Sequence, residues 1–568
     1  MTFLPSVARE LRVASRRAAT YWTRFSFALL AIVIGSFGWA TVHGLSPRET
    51  GIALFATLTV IAYIYSLLAG TFATADCVSE EKREGTLGLL FLTDLRSYDI
   101  VLGKLAASSV SGVYGLLAIF PIMGIPLLLG GVAPAEFWRV VLVCVNNLFL
   151  SLALGLFCST ICRDERKSIG LTLLIVLLLT GGWPGLLAWV GSSISRNHPL
   201  AAFGDRHWMA LFSPSPGFNC LFAFDKLYQA EIARAKYNWF YLSLAVTHAL
   251  GWMALILSTA LLPLVWQDQN PTPQAVRRRA RWRLWTDGTD EVRVAFRRQL
   301  LAVNPFYWLA SRERFKVTLV WLGLGAGAAI WLFGLLKMRH DWLDGTVYIW
   351  TALLTHSALK CWLAMEASRR LGEDRRSGAL ELLLSTPLSV NEILRGQWLA
   401  LLRQFGAAAA LIVAVDFLFL GLGLKNVSED RAIWTVMWLA GIAIFILDLV
   451  TLALLGMWGS LSGRKSSQAG LSALVRVCVM PWFLFGAVCA LLAIIEEVFH
   501  PRPLSNNAPG YIFIGMWFVI SLINDALLAG WALRRLRADF RIVATQRIES
   551  KAAIWGRWLG KKFAASRK

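Results

Sequence analysis

The chain has 568 residues, of which 57% are hydrophobic and only 16% charged, and its mean hydropathy is +0.57. A water-soluble domain carries roughly 25% charged residues, so these values exclude a soluble enzyme, a disordered chain and a small disulfide-stapled domain, and point to an all-α polytopic membrane protein. The 56 Lys and Arg against 35 Asp and Glu give a formal charge of +21, which in this composition reads as loops facing anionic lipid headgroups, not nucleic acid.

A helix needs about 20 apolar residues to cross the hydrocarbon. The N-terminal stretch, with Arg9, Arg12, Arg16 and Arg17, lacks the short apolar core of a cleavable signal peptide and reads as an amphipathic segment on the inner leaflet. The first apolar run is Phe25–His43 and the second Gly51–Ala75. Leu105–Ala135 follows, with Pro121 and Pro126 expected to bend or break it, then Val140–Cys162, Ser168–Ser195 and Tyr237–Gln267. A polar, basic stretch with no apolar run separates these from the next set: Val317–Leu336, Gly345–Met365, Gln404–Leu424, Ala432–Gly463, Ser466–Ile495 and Tyr511–Leu533. The sequence thus predicts twelve spans, arranged as a first half over 1–267, a basic linker over 268–303, a second half over 304–533 and a basic tail over 534–568.

An even count places both ends on one side. The N-terminus, the loops after spans 2, 4, 8 and 10 with Lys104 and Arg395 at span ends, the linker with the stretch up to Lys316, and the tail together hold 41 of the 56 Lys and Arg, so the positive-inside rule makes that face cytoplasmic. The expected location is the inner (plasma) membrane. The linker interleaves Arg277, Arg278, Arg279, Arg281 and Arg283 with Trp282 and Trp285; the tail carries Arg534, Arg535, Arg537, Arg541, Lys561 and Lys562 with Trp555 and Trp558. Both read as segments on the inner leaflet, and Asn304–Lys316 before span 7 reads the same way. On the opposite face, the long loop Arg196–Lys236 is expected to form short capping helices, whereas its counterpart Glu496–Gly510 is shorter. The eight cysteines are scattered, and Cys158 with Cys162 lacks the His or carboxylate that would complete a metal set.

The loops after spans 2 and 8 repeat each other. The first reads Glu80-Glu81-Lys82-Arg83-Glu84-Gly85-Thr86-Leu87 and the second Glu373-Asp374-Arg375-Arg376-Ser377-Gly378-Ala379-Leu380, at a constant, gapless offset of 293 that also aligns Ile100 with Ile393 and Gly103 with Gly396. In each, a charged cluster ends a helix, a Gly breaks it, and a Leu-rich segment suits one or two interfacial helical turns. A turn at Thr386-Pro387 and a capping box of Ser389 and Glu392 then open the next helix. Two six-span halves of one orientation are parallel repeats, for which a pseudo-twofold axis along the membrane normal and a path between the halves are expected.

The charged run ending in Gly-Thr-Leu, and the second copy's Gly-Ala-Leu-Glu-Leu-Leu-Leu-Ser-Thr-Pro-Leu-Ser even more so, resemble the signature of type-two ATP-binding-cassette permeases, the export-type ABC transporter membrane subunits. The resemblance covers the whole chain in topology and about 25 residues per half in motif. It implies that the loop after the second span rests on a nucleotide-binding subunit and relays its motion, a role that falls on Glu80, Glu81, Arg83, Glu84, Gly85 and Thr86, and on Glu373, Asp374, Arg376 and Gly378. The copies differ at Gly88 and Asp94 against Glu381 and Pro387, and at Glu84 against Ser377, which leaves open whether both couple equally. Charge reversal at Glu81 and Asp374 is expected to uncouple the ATPase. The chain has no Gly-x-x-x-x-Gly-Lys-Ser/Thr phosphate loop. The resemblance therefore implies a permease that is not itself an enzyme, with ATP bound by a separate ABC ATPase subunit, two copies per permease.

The halves differ in intramembrane charge. The second carries Lys360, Asp416, Asp448, Arg476 and Asp525 within spans, whereas the first has little beyond His248. Such residues read as structural ion pairs, for example Asp448 with Arg476, as a polar substrate path, or as a proton relay. The last keeps an ion-coupled secondary transporter as the alternative function. Asn146 and Asn147 in span 4 read as interhelical hydrogen bonds.

Overall fold

The computed structural model describes residues 46–92, 96–187, 209–232, 238–265, 273–274, 277, 280–281, 289–311, 315–426, 431–463, 466–499 and 509–545. The first apolar run, the basic N-terminus, Asp94, Arg278, Arg279, Arg283 and the tail beyond 545 lie outside them. Every regular element among the described residues is helical. The chain forms two compact units, Met1–Asn270 with Cys489–Ile494, and Pro271–Val488 with Ile495–Lys568.

In the first unit the elements are α1 (Pro47–Thr74), α2 (Cys77–Glu84), α3 (Thr86–Phe91), α4 (Ser97–Met123), α5 (Ile125–Leu128), α6 (Pro134–Ile161), α7 (Glu165–Leu177), α8 (Pro216–Ala223), α9 (Asp225–Ile232) and α10 (Trp239–Val265). Ser46 caps α1 with Glu49 in a reciprocal capping box, and Pro47 occupies the first turn, where its missing N–H leaves no bond unmade. The centre of this unit is α6, whose membrane-crossing stretch is largely buried and which packs along α1. Small residues set their separation. A Cβ on Gly70 would fall 2.0 Å from Ser151 Oγ, and one on Gly155 would fall 2.2 Å from Thr74 Oγ1. Thr74 Oγ1 donates to Leu152 O across the crossing at 2.9 Å.

The second unit contains α11 (Asp290–Val303), α12 (Pro305–Ser311), α13 (Phe315–Met338), α14 (Gly345–Ala367), α15 (Arg370–Arg376), α16 (Ala379–Leu384), α17 (Val390–Leu401), α18 (Ala407–Asn426), α19 (Arg431–Leu461), α20 (Ser466–Leu474), α21 (Met480–Phe499), α22 (Pro509–Ala538) and α23 (Phe540–Thr545). Here α14 crosses α19 as α1 crosses α6, with Gly456 set against Ala367 and Ser368.

Ten helices among the described residues are long and apolar enough to cross a membrane. They match ten of the twelve predicted runs, often with earlier starts: α4 begins at Ser97, eight residues before the predicted span. Helix α4 runs through Pro121, and the break falls at Gly124, with Pro126 placed in the first turn of α5. The eighth predicted run, α14, is a 23-residue helix outside those ten. Thr351, Thr355, His356, Ser357 and Lys360 dilute its apolar content. The basic stretch expected to lack an apolar run ends in the helix α11. Arg297 lies over the Trp308 ring at 4.9 Å and Arg403 over Phe296 at 4.4 Å, so cation–π contacts tie α11 into the second unit. In the loop Arg196–Lys236 the predicted short helices are α8 and α9, and Arg139 holds Asp225 at 2.7 Å.

Among the described residues, π-helical turns interrupt the spans at Leu178–Gly182, Leu402–Gly406 and Val475–Val479. The first and third lie in the fifth predicted span of each half, a correspondence that hydropathy does not show.

Candidate coupling loops and intramembrane charge cluster

The loops 293 residues apart have the same backbone. In each, a short charged helix (α2, α15) ends at a glycine with positive φ, +70° at Gly85 and +75° at Gly378, and a six-residue helix (α3, α16) follows. No atom lies within 4 Å of the Cβ either glycine would carry, so glycine is required there by the left-handed angle and not by space. The leucine two residues on, Leu87 or Leu380, is buried, as are Ile100 and Ile393 on the next helix. That helix is capped alike in both: Arg96 N donates to the Asp99 carboxylate at 3.0 Å, and Ser389 N to Glu392 Oε2 at 2.7 Å, with Glu392 N returning to Ser389 Oγ at 3.3 Å.

Each loop is also fastened to the fourth span of its own half by a basic residue at the equivalent position. The Lys82 ammonium donates to Thr160 O at the end of α6, and the Arg375 guanidinium to Leu461 O, the last residue of α19. The final carbonyls of a helix lack intrahelical partners and carry its negative dipole end. A cation there satisfies both, a contribution of about 0.3–1 kcal/mol, rising to about 2 kcal/mol when partly buried. Burial pushes the Arg375 guanidinium below its ordinary value, so this contact offsets a real desolvation cost. Arg83 adds a bond to Arg163 O at 3.1 Å, and Ser159 Oγ accepts from Val78 N and Ser79 N at 3.0 Å. In the second unit, Gly372 lets α15 approach Ser460 closely.

The acidic residues predicted for coupling divide into two kinds. Glu81 accepts from Lys104 at 2.7 Å and from the Thr86 hydroxyl. Asp374, 8% exposed, pairs with Arg370 at 3.2 Å. Both therefore hold the loop together. Glu80 is half-buried, and Arg83 reaches back to Asp76 at 2.7 Å while remaining partly exposed. Helix α2 ends at Glu84. Glu373, Arg376, Glu381 and Leu382 are exposed, the last at 72%, as is Leu92 at 83%. Sequence reasoning passed over Lys82, Arg375 and Lys104, although the 293-residue offset already aligned the first two as a matched basic pair.

The fit extends to comparison with known families. Residues 13–263 match the family model described as ABC-2 family transporter protein. The match covers the first predicted half and a little under half of the chain. No curated protein matches the chain. The matched stretch contains the first of the two loops, and the match together with the ten long apolar helices is consistent with a multi-pass membrane protein of ABC permease type.

Within the second unit's spans, Lys360 of α14 meets Asp448 of α19 at 2.5 Å, and His356, one turn earlier on α14, meets Asp416 of α18 at 2.8 Å. The His356 ring stacks on Phe445 at 4.0 Å, and Lys360 lies 5.7 Å from the centre of the same ring. Asp416, Asp448 and Asp525 are at most 4% exposed. The sequence suggested Arg476 as a partner for Asp448; the structure places Lys360 there, because α14 packs along α19. Arg476 lines a recess of about 230 Å³ with Trp458, Ser462, Ser472 and Trp531. His356, the partner of Asp416, was missed, although its i, i+4 spacing from Lys360 puts both on one helix face. In the first unit the polar groups within the spans are an amide, a hydroxyl and an imidazole: Asn146 donates to Thr247 at 2.8 Å and meets His248 at 3.0 Å, the interhelical bonding expected of it.

Proposed function

We propose that the protein is the permease of an ABC exporter, with two six-span halves in one chain driven by two copies of a separate ATPase subunit docked on the loops after spans 2 and 8. The reading rests on the paired helix–glycine–helix loops, each braced against the fourth span of its own half by Lys82 or Arg375. A loop anchored on a long, well-packed helix can pass a push from below into the membrane, where a free loop would absorb it. The residues assigned to coupling are Glu80, Glu81, Arg83, Glu84, Gly85, Thr86, Glu373, Asp374, Arg376 and Gly378. In this reading Glu81 and Asp374, held in ion pairs, shape the loops, and the more exposed Arg83, Glu373 and Arg376 offer charge to a partner. On the same reading ATP binds the partner subunit, and the Lys and Arg distribution supports a cytoplasmic position for both loops, both termini and the linker in an inner (plasma) membrane protein.

The exposed charges supply the test. Charge reversal at Glu373 and Arg376 together abolishes stimulation of the co-purifying ATPase while leaving the permease folded in the membrane. Unchanged ATPase binding and stimulation in that variant overturn the docking assignment. Reversal at Glu81 or Asp374 is the less specific probe, since each breaks a more buried ion pair within its loop, whereas Glu373 is half-exposed and only 3.5 Å from Arg369. An ion-coupled secondary transporter is the second reading, favoured by the buried charges of the second unit; transport that persists without any ATPase would select it.

A further inference from the structure

Asp525, midway along α22, is 2% exposed, and neither carboxylate oxygen completes a well-formed hydrogen bond among the described residues, the adjacent Asn524 amide being the nearby donor. A buried group of this kind normally has its partners, and an ionised carboxylate can only accept. Across the packed α19–α22 crossing it faces another acceptor, the Asp448 carboxylate of α19, which already holds Lys360 at 2.5 Å. The other titratable groups around the pair are Cys361 of α14 and Cys478 of the π turn Val475–Val479. Arg476 of that turn lines the recess with Trp458 and Trp531, and Asn524 donates to Arg476 O at 3.1 Å. His356 and Asp416 form a separate pair one helical turn away along α14.

Two carboxylates and one ammonium leave a net negative charge buried between helices. One added proton removes it, and supplies the missing donor, because a carboxyl bonded to a carboxylate makes a short, strong O–H···O bond. We propose that Asp448 and Asp525 form a proton-binding site confined to the second half, sharing one proton against the fixed charge of Lys360. The site closes the α14, α19 and α22 contact when the proton is bound. Loss of the proton leaves two like charges facing each other across that contact and loosens it. The inference stands apart from the docking of an ATPase and does not depend on it.

The test is infrared spectroscopy of the full chain in lipid nanodiscs at neutral pH, read at the C=O stretch of a protonated carboxyl, which lies clear of the carboxylate and amide bands. The expected result is a band equivalent to one carboxyl per chain that shifts in deuterium oxide and is lost in Asp525→Asn. Thermal unfolding of the same samples should rank Asp525→Asn, whose amide can donate to Asp448, near the wild type and Asp525→Ala below it. Should Asp525→Asn fail to fold, Asp448→Asn carries the same reading, since the remaining carboxylate beside Lys360 needs no proton and the band again disappears. Absence of the band from the wild type, its persistence in both variants, or a stability that requires sodium in place of choline without any such band overturns the proposal.

Discussion

Replacement of Gly378 by Ala is a backbone experiment with no steric component. The residue has φ +75°, and a Cβ there meets nothing within 4 Å. The cost is therefore the left-handed penalty for an L-residue, about 1–2 kcal/mol, equivalent to a factor of roughly 5–30 in the population of the bent loop. Asn, which tolerates this region, should lose less, and a β-branched Val more. Hydrogen exchange of the amides in α15 and α16 reads the effect without a partner: protection should fall in the order Gly, Asn, Ala, Val, with Ala about 5–30-fold below the wild type. Gly85→Ala, at φ +70° and equally open, should do the same to α2 and α3. ATPase stimulation should follow the same ranking. Equal protection in the Ala and wild-type proteins, or an Asn variant as impaired as Val, would refute the claim that a glycine angle sets these loops.

Further consequences can be measured separately. Lys360→Met strips the buried Asp448 of its counter-charge and should lower stability by about 3–5 kcal/mol; adding Asp448→Asn should restore part of the loss, and thermal unfolding in nanodiscs shows whether it does. Arg375→Met removes the cation from the end of α19 and should cost about 0.3–2 kcal/mol, with exchange quickening at the α19 C-terminus and in α15 but not in α22. At Gly396 a Cβ would stand 2.6 Å from Asn304 Oδ1 and 2.8 Å from Tyr307 N. Gly396→Ala should therefore displace α12 from α17 at a cost of about 1–3 kcal/mol, seen as increased protease access around 304–311.

Spans and loops were legible in the sequence because both are written locally. Ten apolar runs became long helices, since twenty apolar residues in a row have few alternatives in a bilayer. The offset of 293 found the matched loops, and the glycines at its centre marked where the backbone would turn left-handed. Charge partners were less accessible because they depend on which helices touch. Lys360 and Asp448 are 88 residues apart, and only the packing of α14 along α19 joins them. Helix α14 begins where predicted and ends two residues later, yet His356 and Lys360, which weaken it as an apolar run, are the residues that pair with α18 and α19. The π turns left no trace in hydropathy, because one extra residue in a turn alters the face of a helix and not its composition.

The claim that the two loops receive an ATPase is tested most directly by site-specific photo-cross-linking. A photoreactive residue at Leu92 or Leu382, both highly exposed, should capture the co-purifying ATPase subunit in native membranes, whereas the same residue at Leu221 of α8, 57% exposed in the loop assigned to the opposite face, should not. Capture at Leu221, or none at either loop in membranes that contain the ATPase, would contradict the account.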